Sequence, residues 1–266
     1  MNNSMISSSV SLAGIQQKID VISGNIANVN TVGYKSKDAT FEDTLTRVQD
    51  QSKQYDLPGR KSPLGYNLGF GSYLAASTYN MSQGSLQETG KETDFAIQGN
   101  ALFAVDAGGT QAWTREGDFQ LSPDSNGDLF LTTNQGYFVL DTNGQPIQVA
   151  NGSHIRVDAQ GNVTEIDLAG NENVVAQLNL VEVARPESLV EAGGNLYKLA
   201  AGANASNVFN PVTDQASVRQ GFLEQSNVDL TKEMTDLTQA QRAYQLAARA
   251  LTSSDNMMSI ANNLRG

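Results

Sequence analysis

LTKEMTDLTQAQRAYQLAARALTSSDNMMSIANNLRG, residues 230–266, runs without Pro or Gly up to its final residue. A helix of about 36 residues fits there, roughly 54 Å long at 1.5 Å per residue. That is longer than helices of ordinary globular chains. Its apolar positions fall on two stripes: Leu237, Ala240, Tyr244, Ala247, Leu251 and Met258 make the first, and Ala243, Leu246, Ala250, Met257, Ile260 and Leu264 the second. Ser226-Asn-Val-Asp229 reads as a Ser-x-x-Asp capping pattern, and Asp229, Glu233 and Asp236 put negative charge where the helix dipole favours it. Two stripes on one helix need two partners. A buried Leu, Ile or Met is worth roughly 1.5–3 kcal/mol, and a bare stripe is an aggregation hazard.

The opposite end offers one partner. Met5, Ser8, Leu12, Ile15, Ile19, Ile22, Ile26 and Val29 step alternately by three and four, and only Ser8 is polar. Such spacing is a heptad seam. The expected fold class is therefore α+β: long N- and C-terminal helices form a coiled-coil-type assembly domain, with a central all-β, hairpin-rich domain between them. Composition shifts divide the chain into an N-terminal helix and assembly segment (1–48), an extended connecting arm (49–83), the β-rich domain (84–217) and the C-terminal assembly helix (218–266). The arm is drawn from the Gly, Pro and polar residues of the run from Gln49 through Leu57-Pro-Gly-Arg-Lys-Ser-Pro-Leu-Gly65.

Short strand-like runs fill the middle: Phe95–Ile97, Leu102–Val105, Leu129–Leu131, Tyr137–Leu140, Ile155–Val157 and Leu178–Leu180. Asp-x-x-Gly recurs at Asp106, Asp124, Asp141, Asp158 and Asp167. An Asp opening a turn can accept a backbone N–H two residues on, and Gly supplies the positive φ, so these read as hairpin turns. Asp124-Ser-Asn-Gly-Asp128 comes nearest to a calcium loop, but lacks the glycine at position six and the glutamate at twelve.

Composition narrows the function classes. A formal charge of −11 disfavours nucleic acid and anionic membrane, which bind through Lys and Arg. Without cysteine there are no disulfides, thiolate metal sites or cysteine nucleophiles. The single histidine, His154, lies in a polar run and suits a solvated hairpin better than a relay or a zinc site. No pair of carboxylates is singled out for acid–base work, so neither catalytic residues nor cofactors or metals are expected. Charged residues are only 17% of the chain, leaving a surface of Asn, Ser, Thr, Gln and Gly that suits packing between identical copies. No segment reaches the roughly 20 apolar residues of a membrane span. The start, Met1-Asn-Asn-Ser-Met-Ile, lacks the charged and apolar regions of a cleaved signal, so export would need another route.

Three ordered motifs carry a likeness. Asn25-Ile-Ala-Asn28-Val-Asn30-Thr31-Val-Gly33-Tyr34-Lys35 stands where the first helix ends. Gln83-Gly84, Asp94-Phe-Ala-Ile-Gln-Gly99 and Trp113-Thr114-Arg115-Glu-Gly117-Asp-Phe119 follow in the middle. Leu223-Glu-Gln-Ser226-Asn227-Val-Asp-Leu230, Glu233-Met234 and Gln241-Arg242-Ala-Tyr244 close the chain. Together they resemble the bacterial flagellar rod and hook family, most closely its distal-rod class. Two places depart from the family pattern: Gly99-Asn-Ala-Leu-Phe103 replaces Gly-x-Gly-Phe-Phe, and Ala247 stands where Asn often follows. The resemblance implies a non-enzymatic structural subunit of the flagellar basal body in the cell envelope. It also implies terminal helices forming an inner tube, the β domain outside, and torque passed between copies of this chain and other rod or hook subunits. Export through the flagellar type III apparatus would account for the missing signal. The residues alone leave open a secreted oligomeric module whose β domain binds a surface polymer.

Overall fold

The computed structural model describes residues 2–43, 47–50, 65–68, 72–124, 127–167, 170–211 and 216–263. The chain divides into two compact units, Met1–Ile26 with Lys37–Thr78 and Leu230–Gly266, and Ala27–Ser36 with Tyr79–Asp229.

The first unit holds helix α1 (Asn2–Ala27), strands β1 (Lys37–Asp43), β2 (Arg47–Asp50), β3 (Gly65–Leu68) and most of β4 (Ser72–Tyr79), and the C-terminal helix. β1 pairs with β4, and β2 pairs antiparallel with β3, Val48 opposite Asn67. These strands occupy much of the described part of the stretch read as an extended arm. Their ladders are backbone bonds between residues of mixed polarity, so alternation does not announce them. Val29, read as the last seam position, stands in a turn beyond the end of α1 at Ala27.

The second unit is built of short strands: β5 (Leu86–Glu88), β6 (Phe95–Gln98), β7 (Ala101–Asp106), β8 (Gln111–Thr114), β9 (Gln120–Pro123), β10 (Leu129–Thr132), β11 (Phe138–Val139), β12 (Gln148–Val149), β13 (His154–Val157), β14 (Asn162–Ile166), β15 (Glu172–Gln177), β16 (Leu180–Val183), β17 (Leu189–Glu191) and β18 (Leu196–Leu199). A single-turn helix α2 (Ala205–Val208), then β19 (Phe209–Pro211), β20 (Ser217–Gln220) and β21 (Phe222–Glu224), lead to helix α3 (Leu230–Asn263) in the first unit. The main sheet runs β12-β10-β11-β7-β8-β18-β17, with β16 on β7, β19 on β16 and β9 on β10. β13-β14-β15 form a second sheet, and the late strands β20 and β21 return to pair with β6 and β5. The segment 218–229, grouped from sequence with the C-terminal helix, thus contributes two strands to this unit.

The continuous apolar run of β7 explains the core. Ala101, Phe103 and Val105 face one cluster with Phe95, Phe119, Leu131 and Ile147, while Leu102 and Ala104 face another with Trp113, Tyr197 and Phe209. A strand covered on both faces has no polar side, which is why it reads as an unbroken apolar stretch. At Asp141 and Asp158 the Asp-x-x-Gly segments are turns of the expected kind. Asp141 accepts from the Asn143 and Gln145 amides at 2.8 Å each, and Asp158 accepts from Gln160 and Asn162 in the same way. Those donors hold both carboxyls below the ordinary aspartate range, against a desolvation that pushes them up. His154 lies on β13 with its side chain 71% exposed, 3.0 Å from Glu92 Oε2.

Candidate functional site

Inside the second unit, the three sequence motifs meet on one buried carboxylate. Glu224 ends β21, a strand too short and too ordinary in sequence to advertise a buried charge. Its Oε1 accepts from Lys35 Nζ at 2.7 Å and its Oε2 from Arg115 Nε at 2.6 Å, and all three side chains are 1–2% exposed. Lys35 also donates to the Ser82 carbonyl at 2.8 Å. Arg115 spends its remaining donors on backbone, bonding Ala101 O, Ile97 O at 2.8 Å and Gly99 O at 2.7 Å. Glu224 Oε1 takes one further donor, the Gly84 amide at 2.8 Å. Two cations share one anion, so the cluster holds a net positive charge away from water. Desolvation is the chief cause that lowers Lys35 to about 8, Arg115 adds to it, and Glu224 opposes both. Desolvation likewise lowers Arg115 from its ordinary value, with Glu224 opposing. A planar fork that reaches three carbonyls and a carboxylate is a task for arginine rather than lysine.

The backbone around the cluster is equally constrained. The Gly33 amide donates to the Glu224 carbonyl at 2.7 Å. Gly33 has φ +67°, and a Cβ there would lie 2.6 Å from the Arg115 carbonyl carbon. Only glycine satisfies both conditions. Gly117 is required by contact, since its Cβ would fall 1.7 Å from the Phe95 carbonyl oxygen. Asn227 Oδ1 accepts from the Ser36 amide at 2.7 Å, while its Nδ2 donates to the carbonyls of Asn80 and Ser82 at 2.8 and 3.0 Å. Tyr34 is buried, Thr31 donates to Asn28 Oδ1 at 3.1 Å, Thr114 donates to the Asn195 carbonyl at 3.0 Å, and Asn30 is exposed. Asn195 Nδ2 reaches the Val32 carbonyl at 2.9 Å. The segment following α1 and the segment preceding α3 are therefore fastened side by side within this unit. Ser226 does not cap α3. The helix begins four residues later at Leu230, Asp229 takes the preceding position, and the Ser226 hydroxyl accepts from the Val228 amide at 3.3 Å.

Within the first unit, Asn25 plays a comparable part. Its Nδ2 donates to the Lys37 carbonyl at 3.0 Å and to Glu233 Oε1 at 3.1 Å, and its Oδ1 accepts from the Lys37 amide at 2.9 Å. Burial raises the Glu233 carboxyl above its ordinary value, and the Asn25 bond works against that. The terminal seams divide by exposure. On α1, Ile22 is buried and Leu12, Ile15, Ile19 and Ile26 are half-buried. On α3 the first stripe is covered in part: Ala240 is buried, Leu237, Ala247, Leu251 and Met258 are half-buried, and Tyr244 is 39% exposed. The second stripe faces outward, with Leu246 65%, Met257 52% and Ile260 59% exposed beside exposed Ala243 and Ala250. Leu264 lies outside the described residues. Gln241 and Arg242 are exposed. Thr235, Thr238 and Thr252 return their hydroxyls to the carbonyls of Thr231, Met234 and Ala248 at 2.8–2.9 Å. Their polar atoms can thus be covered without losing partners.

The sequence places Lys35, Arg115, Asn25 and Glu233 in motifs, but it singles out neither Glu224 nor Asn195 and does not show that Asn25 and Glu233 meet. No local pattern marks a carboxylate whose partners lie 109 and 189 residues away in sequence. Among the described residues no helix is long and apolar enough to cross a membrane.

Comparison with known proteins matches three stretches of the chain. Residues 12–35 match the family described as Flagella basal body rod protein, residues 96–165 the Flagellar hook protein FlgE/F/G D1 domain, and residues 219–264 the Flagellar basal body rod FlgEFG protein C-terminal. The flagellar hook-basal body complex protein FlhP of Bacillus subtilis (strain 168) is 34% identical over 272 residues, covering 100% of both chains. The flagellar basal-body rod protein FlgG of Borreliella burgdorferi is 35% identical over 253 residues, 94% of each chain, and FlgG of Bacillus subtilis is 33% identical over 270 residues, 100% of each.

Proposed function

The chain belongs to the flagellar basal-body rod and hook protein family, a family of non-enzymatic structural proteins, and from that premise we propose that it polymerises through its terminal helices into the axial rod and there transmits torque. The observation that carries this reading is the outward stripe Ala243, Leu246, Ala250, Met257 and Ile260 on α3. A single copy leaves it in water, whereas a neighbouring helix would bury it. Each large side chain so covered contributes roughly 1.5–3 kcal/mol. The alanines allow close approach, and the threonine hydroxyls are already satisfied within the helix.

Stiffness follows from the buried junction. Torque that reaches the terminal helices has to pass through the segments next to them, 27–36 and 222–229, and these are fixed by charge-assisted bonds and contacts that admit only glycine. The partners in this reading are copies of the chain and other rod or hook subunits, with delivery by the flagellar type III apparatus. Leu246→Asp and Ile260→Asp test it directly. Both positions are exposed, so each purified variant should melt within about 2 °C of wild type, consistent with surface changes of ±0.5 kcal/mol. In cells lacking the wild-type chain, electron microscopy should show no complete rod. Full-length rods with either variant would remove the stripe from the interface and refute the proposal.

A further inference from the structure

Three carboxyl groups of the second unit converge away from the Lys35–Glu224–Arg115 cluster. Asp94 and Asp118 face each other across an isolated antiparallel bridge, which places their side chains on one face. Glu116, two residues before Asp118 in extended chain, projects to that same face. Desolvation first, and then the nearby Asp118 carboxyl, raises the Glu116 carboxyl, and two carboxyls this close are held most easily with one proton between them. The Asn134 side-chain amide donates to Asp118 Oδ2. Asp118 Oδ1 and Asp94 Oδ2 are buried without partners, and Asp94 as a whole is only 2% exposed.

Among the described residues, neither basic side chain near these carboxyls in sequence pairs with them. Arg115 turns to Glu224, and Lys91, three residues before Asp94, meets it through a backbone bond, its carbonyl accepting from the Asp94 amide at 3.3 Å. On its far side Glu116 lines a small cavity of about 160 Å³ together with Glu191, Asn28, Thr31, Gln135 and Asn195, which adds a fourth carboxylate and no base. Among the described residues no group of three acidic, histidine or cysteine side chains is arranged to hold a metal ion.

We infer that Glu116 and Asp118, set beside the buried Asp94, share a proton that is held in weakly acidic solution and lost as pH rises through neutrality, and that its loss loosens the contact between residues 28–33 and the Arg115–Phe119 segment. The mechanical link is short. Gly33 packs on the Arg115–Glu116 peptide, with its Cβ position 2.7 Å from the Glu116 nitrogen. Ionisation of Glu116 acts against Asp118, which Asp94 already opposes. Desolvation first, then Asp118, raises Glu116 to about 7, and desolvation raises Asp118 as well. The folded chain therefore holds more protons here than the unfolded chain between about pH 4.5 and 7, so stability from this group is highest below that window and lost as pH rises through it.

Two measurements on the full chain test this. The side-chain carboxyl ¹³C resonance of Glu116 should titrate with a midpoint near 7; a midpoint in the ordinary range near 4.5 overturns the inference. The melting temperature of wild type should fall by about 3–6 °C more than that of Glu116→Gln between pH 5.5 and 7.5, allowing for the partial exposure of the pair. Parallel pH profiles for the two proteins overturn it. So does calcium chloride at millimolar level restoring the wild-type melting temperature at pH 7.5, because a metal would then be the natural occupant. If Glu116→Gln does not fold, the wild-type resonance decides the matter alone.

Discussion

Glu224→Gln removes the negative charge shared by two buried cations, with almost no change in shape. Glutamine keeps one oxygen to accept from Lys35 or Arg115, but its amide then points two hydrogens at the other cation. Breaking a buried ion pair by removing one partner typically costs about 3–5 kcal/mol, because an uncompensated charge is left behind. Here the cation that cannot escape is Arg115, which stays protonated at any accessible pH. Lys35 is already lowered to about 8, and without the carboxylate it would shed its proton near neutrality and limit its own share of the cost. A total of about 3–5 kcal/mol, at roughly 2–4 °C per kcal/mol for a chain of this size, lowers the melting temperature by about 6–20 °C. The assay is thermal and urea unfolding of the purified full chain at pH 7, followed by circular dichroism. Glu88→Gln on β5, a strand that pairs with β21, serves as control and should stay within about 0.5 kcal/mol. Lys35→Met should be milder, about 1–2 kcal/mol, since it leaves Glu224 paired with Arg115. A Glu224→Gln protein within 1 kcal/mol of wild type, or a Lys35→Met protein that is worse, would refute the idea that Glu224 is the hub.

Gly33→Ala should cost about 3 kcal/mol or more, since a left-handed φ and a backbone contact of 2.6 Å act together; near-neutral urea unfolding would contradict the placement of the 28–36 segment. The Lys35 amine should also give a pH signature opposite in sign to that of Glu116. Its folded pKa lies below its free value of 10.5, so the folded chain holds fewer protons between about pH 8 and 10.5, and this group's destabilising effect fades as pH rises through that window. The stability difference between wild type and Lys35→Met should then shift in favour of wild type by about 1–3 kcal/mol across it, and a flat difference would exclude a depressed Lys35.

Sequence by itself determined what depends on near neighbours. The three-and-four spacing of Leu237, Ala240, Tyr244, Ala247 and Leu251 sets a helix because residues that far apart share a face whatever surrounds them. The Asp141 and Asp158 turns need only their own following amides, and the apolar run of β7 announces burial on both faces. The resemblance carried by the three motifs also pointed to the family that the comparisons show. Only tertiary structure decided that these motifs meet on Glu224, that Asn227 holds Ser36 to Asn80 and Ser82, and that Ser226 does not cap α3. It also decided which α3 stripe is covered. A stripe is apolar by composition, but it is buried only by a partner, and on α3 the local pattern of Leu246 and Ile260 is the same as that of Leu237 and Leu251. The buried charges were illegible for a related reason: a lone Lys, Arg or Glu reads as surface, and its burial is tolerable only when partners distant in sequence arrive together.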